Sequence, residues 1–446
     1  MKSLHPAFRW AYRLSGWVDR RFTLPGKCVL LVALASAVLG LDSSRTAASW
    51  IFSLCAAILV VASAMSWRWR PVLAVRRELP RVARAGRPVR YVIELTADHL
   101  LRFPPLVLRD ELQDRFPGKE AGSGALPAPV RRANAFDRRV GYLRWVAAVE
   151  WLRGASVAPV PLPPGAVSPA RVIHEFTPVR RGRLRFTGMR VLRPDVLGLV
   201  NASVWIQAPE SLLVLPAVFP VPALSIAGGR HREETDAARV WRAGDGGEFL
   251  QVREHRPGDP LRLVHWPRSA RAGRLIVREN GEARTARRAL VLDACGADGD
   301  RAAFEAAVSA AASLVGSERR GPVPMDTLFL EDRVIAASAG DAEGGGEALL
   351  RALAEVPASP AKGFEFLALA VRARSHELAA CVHVFLRLDD PRTALVRALS
   401  RAGVAQIVLL VTGRGDSLPP LGAVPVHRVR PGNLAEDLAR MPGQCR

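Results

Sequence analysis

Lysine and paired cysteines are scarce in this sequence. Arginine supplies nearly all of the positive charge in a chain of 446 residues with a formal net charge of +21, because lysine occurs only at positions 2, 27, 119 and 362. The five cysteines stand apart, with no Cys-x-x-Cys pair, at positions 28, 55, 295, 381 and 445. A disulfide framework or a structural zinc site requires clustered cysteines. The spacing therefore excludes both, and the odd count favours a reducing compartment.

Familiar signatures of catalysis and of nucleic-acid binding are missing as well. The sequence contains no nucleophile motif, phosphate-binding loop, recognition helix, zinc finger or aromatic stacking motif. A charge of +21 favours an anionic partner, either nucleic acid or an anionic membrane surface. A biased arginine content on a solvated surface explains the same charge. Without a recognition element, we expect no nucleic-acid partner.

Two apolar runs without any charge lie close together, at 28–41 and 48–65. A helix needs roughly 18 to 20 apolar residues to cross the hydrocarbon core of a bilayer. The second run meets that length, and the first reaches it with Ser43 and Ser44 or with local thinning of the bilayer. The pattern predicts a transmembrane helical hairpin with spans at 28–44 and 48–66, in an N-terminal segment of residues 1–70.

Basic residues flank both ends of the predicted hairpin. They are Arg9, Arg13, Arg20, Arg21 and Lys27 before it, and Arg68, Arg70, Arg76, Arg77, Arg81, Arg84 and Arg87 after it. Because positive residues resist translocation, we expect a two-helix protein of the inner (cytoplasmic) membrane, with both termini and the bulk of the chain cytoplasmic. The lipid bilayer is then one partner. A cleaved signal peptide and a pair of buried core helices are the alternatives, and residues 6–22 are interpreted as an interfacial anchor.

Short β-like runs separated by proline and glycine fill residues 71–225. The clearest are Val89–Leu95, Leu143–Trp151, Arg171–Phe176, Leu184–Leu192 and Leu212–Leu215. No long helical period interrupts them, so an antiparallel β-sandwich-like domain is predicted. Its middle, about 117–140, is rich in glycine, alanine, proline and arginine and predicts a mobile loop.

Strand-like and helix-like runs alternate over residues 289–446. The predicted strands are Ala289–Asp293, Thr327–Ile335, Cys381–Leu388, Ala405–Val411 and Val424–Val429. The predicted helices are Arg301–Val315, Glu347–Glu355, Phe364–Ala379, Arg392–Arg401 and Leu434–Met441. Because some strands are apolar throughout, we expect a parallel sheet covered on both faces, in a doubly wound α/β domain. The whole chain is thus predicted to be an α+β multidomain membrane protein.

The densest motif lies in Gly246–Glu279, within a segment of residues 226–288 that links the two domains. Its distinctive residues are Glu248, Phe249, Arg253, Gly258, Asp259, Arg262, His265, Trp266, Ser269, Ala270 and Arg271. They resemble the signature of the domain of unknown function 58 family, with His255 in place of the usual tyrosine. Arg181–Leu184 and Arg193–Leu199 are similar to two further elements of that family, the second of them altered.

The resemblance implies a bacterial protein that works beside a MoxR-type AAA+ ATPase, with a C-terminal domain similar to von Willebrand factor A. Active members of that fold bind a divalent ion through Asp-x-Ser-x-Ser. Here those positions hold Asp293, Cys295 and Ala297. A thiol and an alanine do not replace two hydroxyl ligands of a hard cation. We therefore expect a degenerate site, with neither a metal nor another cofactor.

The signature has two interpretations. Residues 257–259 predict a turn, 261–266 a short strand with two faces, and 269–271 a turn or cap, which favours a structural seam or a partner-binding surface held by ion pairs. The alternative is a metal-dependent hydrolase that uses Glu248, Asp259 and His265, with His265 as the base. The first interpretation predicts a non-enzymatic membrane scaffold or adaptor that assists the ATPase in the assembly or maturation of other proteins.

Overall fold

The structure of the protein, a computed structural model, divides the chain into two units, Met1–Ala217 and Val218–Arg446. The residues that it describes are 5–39, 46–67, 69, 71–97, 106–117, 140–162, 168–222, 225–226, 239–256, 259, 261–285, 287–293, 295, 300–317, 325–330, 334–336, 345–357, 363–413, 421–441 and 444–445. Over 239–251 and 279–287 it describes the backbone only. The predicted loop at 117–140 falls almost wholly outside the described residues.

Three helices begin the first unit: α1 (His5–Arg21), α2 (Leu24–Leu39) and α3 (Thr46–Trp67). α2 packs against α3, and the two correspond to the predicted spans. Residues 47–67 are long and apolar enough to cross a membrane, and 6% of their most apolar stretch is buried; α2 is apolar but shorter. Leucines such as Leu31 (69% exposed) and Leu54 (62%) face outwards. A core helix of a soluble protein hides its apolar residues, and these helices do not.

Two sheets make the β portion of the first unit. One contains β1 (Leu73–Glu78), β3 (Val89–Ala97) and β6 (Ala170–Phe176), in the order β1-β3-β6 and antiparallel throughout. The other contains β2 (Val82–Arg84), β4 (Val107–Leu112), β5 (Val160–Pro161), β7 (Gly182–Pro194) and β8 (Asn201–Leu215). Its order is β2-β8-β7-β4-β5, antiparallel except for the parallel β2–β8 pair. Inward residues of both sheets, including Ile93, Leu108 and Met189, share one apolar core.

The prediction of a strand at Leu143–Trp151 is wrong, because this segment forms helix α4 (Tyr142–Arg153). Gly141 and Gly154 bracket it with left-handed backbone angles, φ 78° and 93°, which glycine adopts without strain. Trp145, Ala148 and Val149 are its buried face, at the spacing of a helix and not of a strand. Trp145 packs on Phe8 and Tyr12 of α1, with ring centroids 6.0 and 5.8 Å apart.

A close backbone contact joins α2 to the turn between β7 and β8. Gly26 is buried, and a Cβ atom placed on it would lie 1.9 Å from the carbonyl oxygen of Leu199. The Thr23 amide donates to the same oxygen at 3.1 Å, and the Arg21 guanidinium donates to the Asn201 carbonyl at 3.1 Å. Only glycine permits this approach, so the helices are attached to the β portion by direct packing.

A six-stranded sheet forms the core of the second unit. Its strands are β12 (Arg287–Leu292), β13 (Met325–Phe329), β14 (Val334–Ala336), β15 (Leu378–Phe385), β16 (Ala405–Val411) and β17 (Val426–Val429). The order is β14-β13-β12-β15-β16-β17, parallel except for the edge strand β14. Successive residues of β15 and β16 are buried, and since they point to opposite faces, both faces are covered. The doubly wound arrangement follows the sequence prediction.

Helices and two smaller strand pairs complete this unit. The helices are α5 (Trp266–Ala272), α6 (Arg301–Ser317), α7 (Gly345–Glu355), α8 (Phe364–Ala373), α9 (Asp390–Arg401) and α10 (Leu434–Ala439). The pairs are antiparallel β10 (Arg239–Glu254) with β11 (Ile276–Thr285), and parallel β9 (Ser225–Ile226) with β18 (Gln444–Cys445). Two predicted elements need correction: 327–335 is a pair of antiparallel strands, and the helix predicted over 364–379 ends at Ala373, before a 3-10 turn.

One histidine lies wholly inside the six-stranded sheet. His383 of β15 is 0% exposed, and its Nε2 lies 2.9 Å from Oε1 of Gln406. Gln406 donates its own amide to the Val396 carbonyl and to Ser400, each at 3.0 Å. Its oxygen must therefore accept, so Nε2 of His383 carries a proton. Burial lowers the pKa of His383 to about 4.

We expect Gly26→Ala to destabilise the first unit by about 1–3 kcal/mol, because the added methyl group forces α2 away from Leu199. Thermal unfolding of the detergent-solubilised chain measures the effect. Gly16→Ala is the matched control, since its Cβ atom would meet only the Arg20 side chain, at 3.4 Å. Equal melting temperatures for the two variants would contradict the close contact.

Stability of the second unit should fall as the pH is lowered from about 6.5, the value for a histidine in an unfolded chain, towards 4. The unfolded chain binds a proton in this window and the folded chain does not, so the free energy of unfolding drops by at most about 1.4 kcal/mol per pH unit. Denaturant titrations of wild type and His383→Gln at several pH values measure the difference. A wild-type slope no steeper than that of the variant would refute the assignment.

Candidate functional site

The carboxyl edge of the six-stranded sheet carries a buried carboxylate, Asp293, directly after β12. Its side chain is 0% exposed. Its backbone amide donates to the Val384 carbonyl at 3.0 Å, and its Oδ1 accepts the Cys295 amide at 2.9 Å. Ligands and partners of open α/β sheets bind at this edge. Asp293 and Cys295 are two of the three positions singled out in the sequence, and Ala297 lies outside the described residues.

An arginine guanidinium occupies the space in front of Asp293. Arg392, on the first turn of α9, is 1% exposed and donates from Nε to Asp293 Oδ2 at 2.6 Å. It also donates to Asp389 Oδ2 at 2.5 Å and to the Cys295 carbonyl at 3.4 Å. The guanidinium carbon lies 4.3 Å from the centre of the Phe364 ring, within the range of a cation–π contact. The positive charge that a divalent ion would supply to Asp293 thus comes from the chain itself.

The local sequence positions this arginine. Asp389 caps α9, accepting the Arg392 amide at 3.3 Å, and a proline follows in the first turn. Burial opposes the charge of Arg392, yet its bonds to Asp293 and Asp389 outweigh it and raise the pKa of the guanidinium. Burial also disfavours the charged form of Asp293 and so raises the pKa of its carboxyl, while the hydrogen bond from Arg392 works against that rise. Because arginine stays protonated in proteins, Arg392 brings a positive charge to Asp293.

Sequence analysis missed Arg392 and Asp389. The helix-capping pattern Asp-x-Pro was visible in the sequence, but it does not reveal that Arg392 contacts Asp293, which lies 99 positions upstream. Contact between the two depends on the parallel pairing of β12 with β15, which brings the ends of both strands to one edge.

In the signature, Arg253 and Asp259 form a two-pronged ion pair. Nη1 and Nη2 of Arg253 donate to the two carboxylate oxygens of Asp259 at 2.7 and 2.9 Å. The Arg256 amide donates to the same carboxylate at 2.8 Å. The Arg253 bond, followed by that amide, holds the pKa of Asp259 well below its usual range. Asp259 is therefore fully engaged in closing the turn after β10.

His265 and Ser269 also have structural partners. The His265 Nδ1 accepts the Arg268 amide at 3.3 Å and so caps α5. The Ser269 hydroxyl lies 3.0 Å from the His265 carbonyl, and it accepts the Ile276 amide at 2.8 Å. These bonds join α5 to β11. The strand predicted over 261–266 is wrong: a 3-10 turn spans Leu261–Leu263 and α5 begins at Trp266.

The remaining signature residues face solvent or lie where only the backbone is described. Arg262, Trp266, Ala270 and Arg271 are exposed. Glu248 and Phe249 lie in β10, opposite Gly281 and Asn280; their side chains, like all of Gly258, lie outside the described part of the chain. Within that part, no three histidine, cysteine, aspartate or glutamate residues are grouped so that they could hold a metal ion.

A second buried polar cluster lies between the two sheets of the first unit, and sequence analysis missed it. Arg77 donates to Asp110 at 2.7 and 2.9 Å, and both side chains are 0% exposed. The Tyr91 hydroxyl donates to Asp110 and lies 3.1 Å from Nδ1 of His174. Burial, followed by the Asp110 charge, raises the pKa of Tyr91, and burial lowers the pKa of His174. Closed off from solvent, this cluster fixes the sheets against each other and offers no access to a substrate.

Comparison with known proteins finds a family model that matches part of the second unit. Residues 251–436 match the model of a family described as "Protein of unknown function DUF58". The uncharacterized protein YeaD of Bacillus subtilis strain 168 is 29% identical over 145 residues, which cover 32% of this chain and 35% of that relative. The interval 251–436 contains the Arg253–Asp259 pair and the Asp293–Arg392 pair. The family resemblance inferred from the signature is confirmed.

Arg392→Ala should destabilise the second unit by about 3–5 kcal/mol, because it leaves Asp293 buried without a counter-charge. Arg351→Ala is the control: Arg351 of α7 pairs with Glu347 at 2.7 Å, but both side chains are exposed, 53% and 41%, and such a pair contributes about 1 kcal/mol or less. Denaturant unfolding compares the two variants. Similar losses, or a gain in wild-type stability on adding Mg²⁺, would contradict the role given to Arg392.

Proposed function

We propose, since the chain belongs to the DUF58 family through residues 251–436, that it is a non-enzymatic scaffold anchored in the membrane. In this proposal α2 and α3 hold the chain in the bilayer, and the second unit binds a protein partner on the cytoplasmic side. The family resemblance suggests a MoxR-type AAA+ ATPase as that partner, in the assembly or maturation of other proteins.

The exposed surface of α2 and α3 supports the membrane anchor. Leu34, Val38 and Leu39 of α2 and Trp50 and Val60 of α3 are each 59% exposed or more. So large a contiguous apolar surface is unusual on a soluble monomer and is typical of contact with lipid or a partner. Arginines before α2 and after α3 favour an inner-membrane hairpin with both termini in the cytoplasm.

The scaffold proposal rests on one observation: the polar signature residues make structural contacts, while apolar side chains beside them are exposed. Asp259 and His265, which a hydrolase would need, are engaged in closing a turn and capping a helix. The large apolar side chains exposed in this segment are Leu261 (63% exposed), Trp266 (61%) and Leu275 (42%). An exposed tryptophan with leucines and arginines near it in the sequence is the composition of a binding hot spot. We call Leu261, Trp266 and Leu275 the signature patch.

The architecture of the second unit supports the same proposal. A parallel sheet with one antiparallel edge strand and an aspartate at the carboxyl end of its central strand β12 agrees with the implied likeness to von Willebrand factor A. In such domains, partners dock at the edge where strands end. With a guanidinium bound to that aspartate, the edge supports recognition of a protein more readily than metal chemistry.

Trp266→Ser should lower recovery of a MoxR-type AAA+ ATPase by roughly tenfold or more in crosslinking from native membranes, because loss of a hot-spot aromatic costs about 2 kcal/mol. The readout is the amount of ATPase crosslinked to the full-length chain. Phe366→Ser is the control, since Phe366 of α8 is 71% exposed outside the signature. Absence of the ATPase from wild-type crosslinks would count against the partner, and equal loss in both variants against the patch.

A further inference from the structure

The turn between β7 and β8 carries apolar side chains at its tip. Val196 is 85% exposed and Leu197 is 51% exposed. Tight turns that face water usually carry polar residues or glycine there. Two exposed apolar residues side by side at a turn tip therefore indicate surroundings other than bulk water.

The conformation of this turn does not depend on its apolar tip. Oδ1 of Asp195 accepts the backbone amides of Leu199 and Val200 at 2.6 and 3.0 Å. The Gly198 amide donates to the Asp195 carbonyl at 3.0 Å, and Gly198 adopts φ 68°, which favours glycine. Asp195 and Gly198 thus close the turn by themselves, and Val196 and Leu197 remain available for an outside contact.

The same turn is bound to the start of α2 and packs on α3. The Thr23 hydroxyl lies 2.5 Å from the Gly198 carbonyl and donates to it. Leu199 belongs to an apolar cluster with Val29 of α2 and with Ile58 and Ala62 of α3. The tip therefore lies level with the beginning of the apolar run of α2. If α2 and α3 cross a bilayer, this level is its boundary.

Helix α1 adds an exposed apolar stripe nearby. Trp10 (68% exposed), Leu14 (42%) and Trp17 (51%) lie at i, i+4 and i+7, on one face of the helix. The Trp17 ring lies 6.0 Å from that of Phe22, which in turn pairs with Val200 beside the turn. The stripe and the turn tip are thus linked through consecutive contacts.

We propose that the α1 stripe and the tip of the β7–β8 turn form a second membrane contact, which seats the first unit in the headgroup region of an anionic bilayer. The proposal rests on the membrane anchor proposed above and adds apolar side chains next to it. Tryptophan at the water–lipid boundary is typical of such contacts. Exposed Arg9 and Arg13 of α1 complement anionic headgroups, each with a favourable contribution.

The occupant is lipid, and this follows from continuity and charge. A protein partner on the stripe would have to share the boundary with the bilayer that surrounds α2 and α3. Aromatic residues flanked by arginines match the interface, where the rings sit among the headgroups and the guanidinium groups reach the phosphates.

Site-specific photo-crosslinking tests this contact. The full-length chain is reconstituted in vesicles of phosphatidylcholine with a minor share of phosphatidylglycerol. Each sample carries a diazirine amino acid at one position, and positions 14 and 197 report on the proposed contact. Ile173 is the control position, since it is 67% exposed on β6. It lies in the three-stranded sheet, which contains neither β7 nor β8. Leu54, 62% exposed on α3, reports on the anchor. Mass spectrometry measures lipid adducts.

We expect adducts at 14, 54 and 197 in severalfold excess over those at 173. If position 54 gives lipid adducts but the yields at 14 and 197 are no higher than at 173, the second membrane contact is wrong and the anchor stands. Protein crosslinks in place of lipid adducts at 197 would also overturn the second membrane contact. If position 54 gives no lipid adduct, both the membrane anchor and the second membrane contact are wrong.

Discussion

The approach of Gly26 to the Leu199 carbonyl is the constraint on which the first unit depends. Helix α2 begins against the β7–β8 turn, and the missing side chain of one residue makes this possible. Because α2 also packs on α3, a single contact orients both apolar helices relative to the sheets. Leu199 and Val200 enter the same apolar cluster as Ala62 of α3. The β portion is consequently attached to the helices by direct packing.

Arginine serves as a buried counter-ion in both units. Arg77 is bound to Asp110 between two sheets, and Arg392 is bound to Asp293 at a sheet edge, each with almost no exposure. A desolvated pair gains little stability over apolar residues of equal volume, but loss of one partner is costly. The planar guanidinium also lies over a ring in each case, Phe186 at 5.0 Å and Phe364 at 4.3 Å, which lysine could not reproduce as well. Part of the strong preference for arginine over lysine thus has a structural basis.

The sequence predicted elements whose pattern is local and failed where a contact is long-range. The strand Ala405–Val411 was predicted to the residue, since a continuous apolar run between turn residues leaves few alternatives. Leu143–Trp151 was taken for a strand, while two bracketing glycines and the packing of Trp145 make Tyr142–Arg153 helical. Within the signature an ion-pair network was predicted, and the structure pairs Arg253 with Asp259. Arg392 was not, since no local pattern reveals its contact with Asp293.

The Arg392 guanidinium at the carboxyl edge of the six-stranded sheet has a consequence for how partner binding at that edge could be regulated. A bound metal ion exchanges with the surrounding solution, so a domain that relies on one can lose and regain its charge as ion concentrations change. Arg392 is part of the chain and cannot leave Asp293. The charge balance around Asp293 therefore does not depend on a bound divalent ion. A partner that docks at this edge would therefore not need a divalent ion to be bound there first.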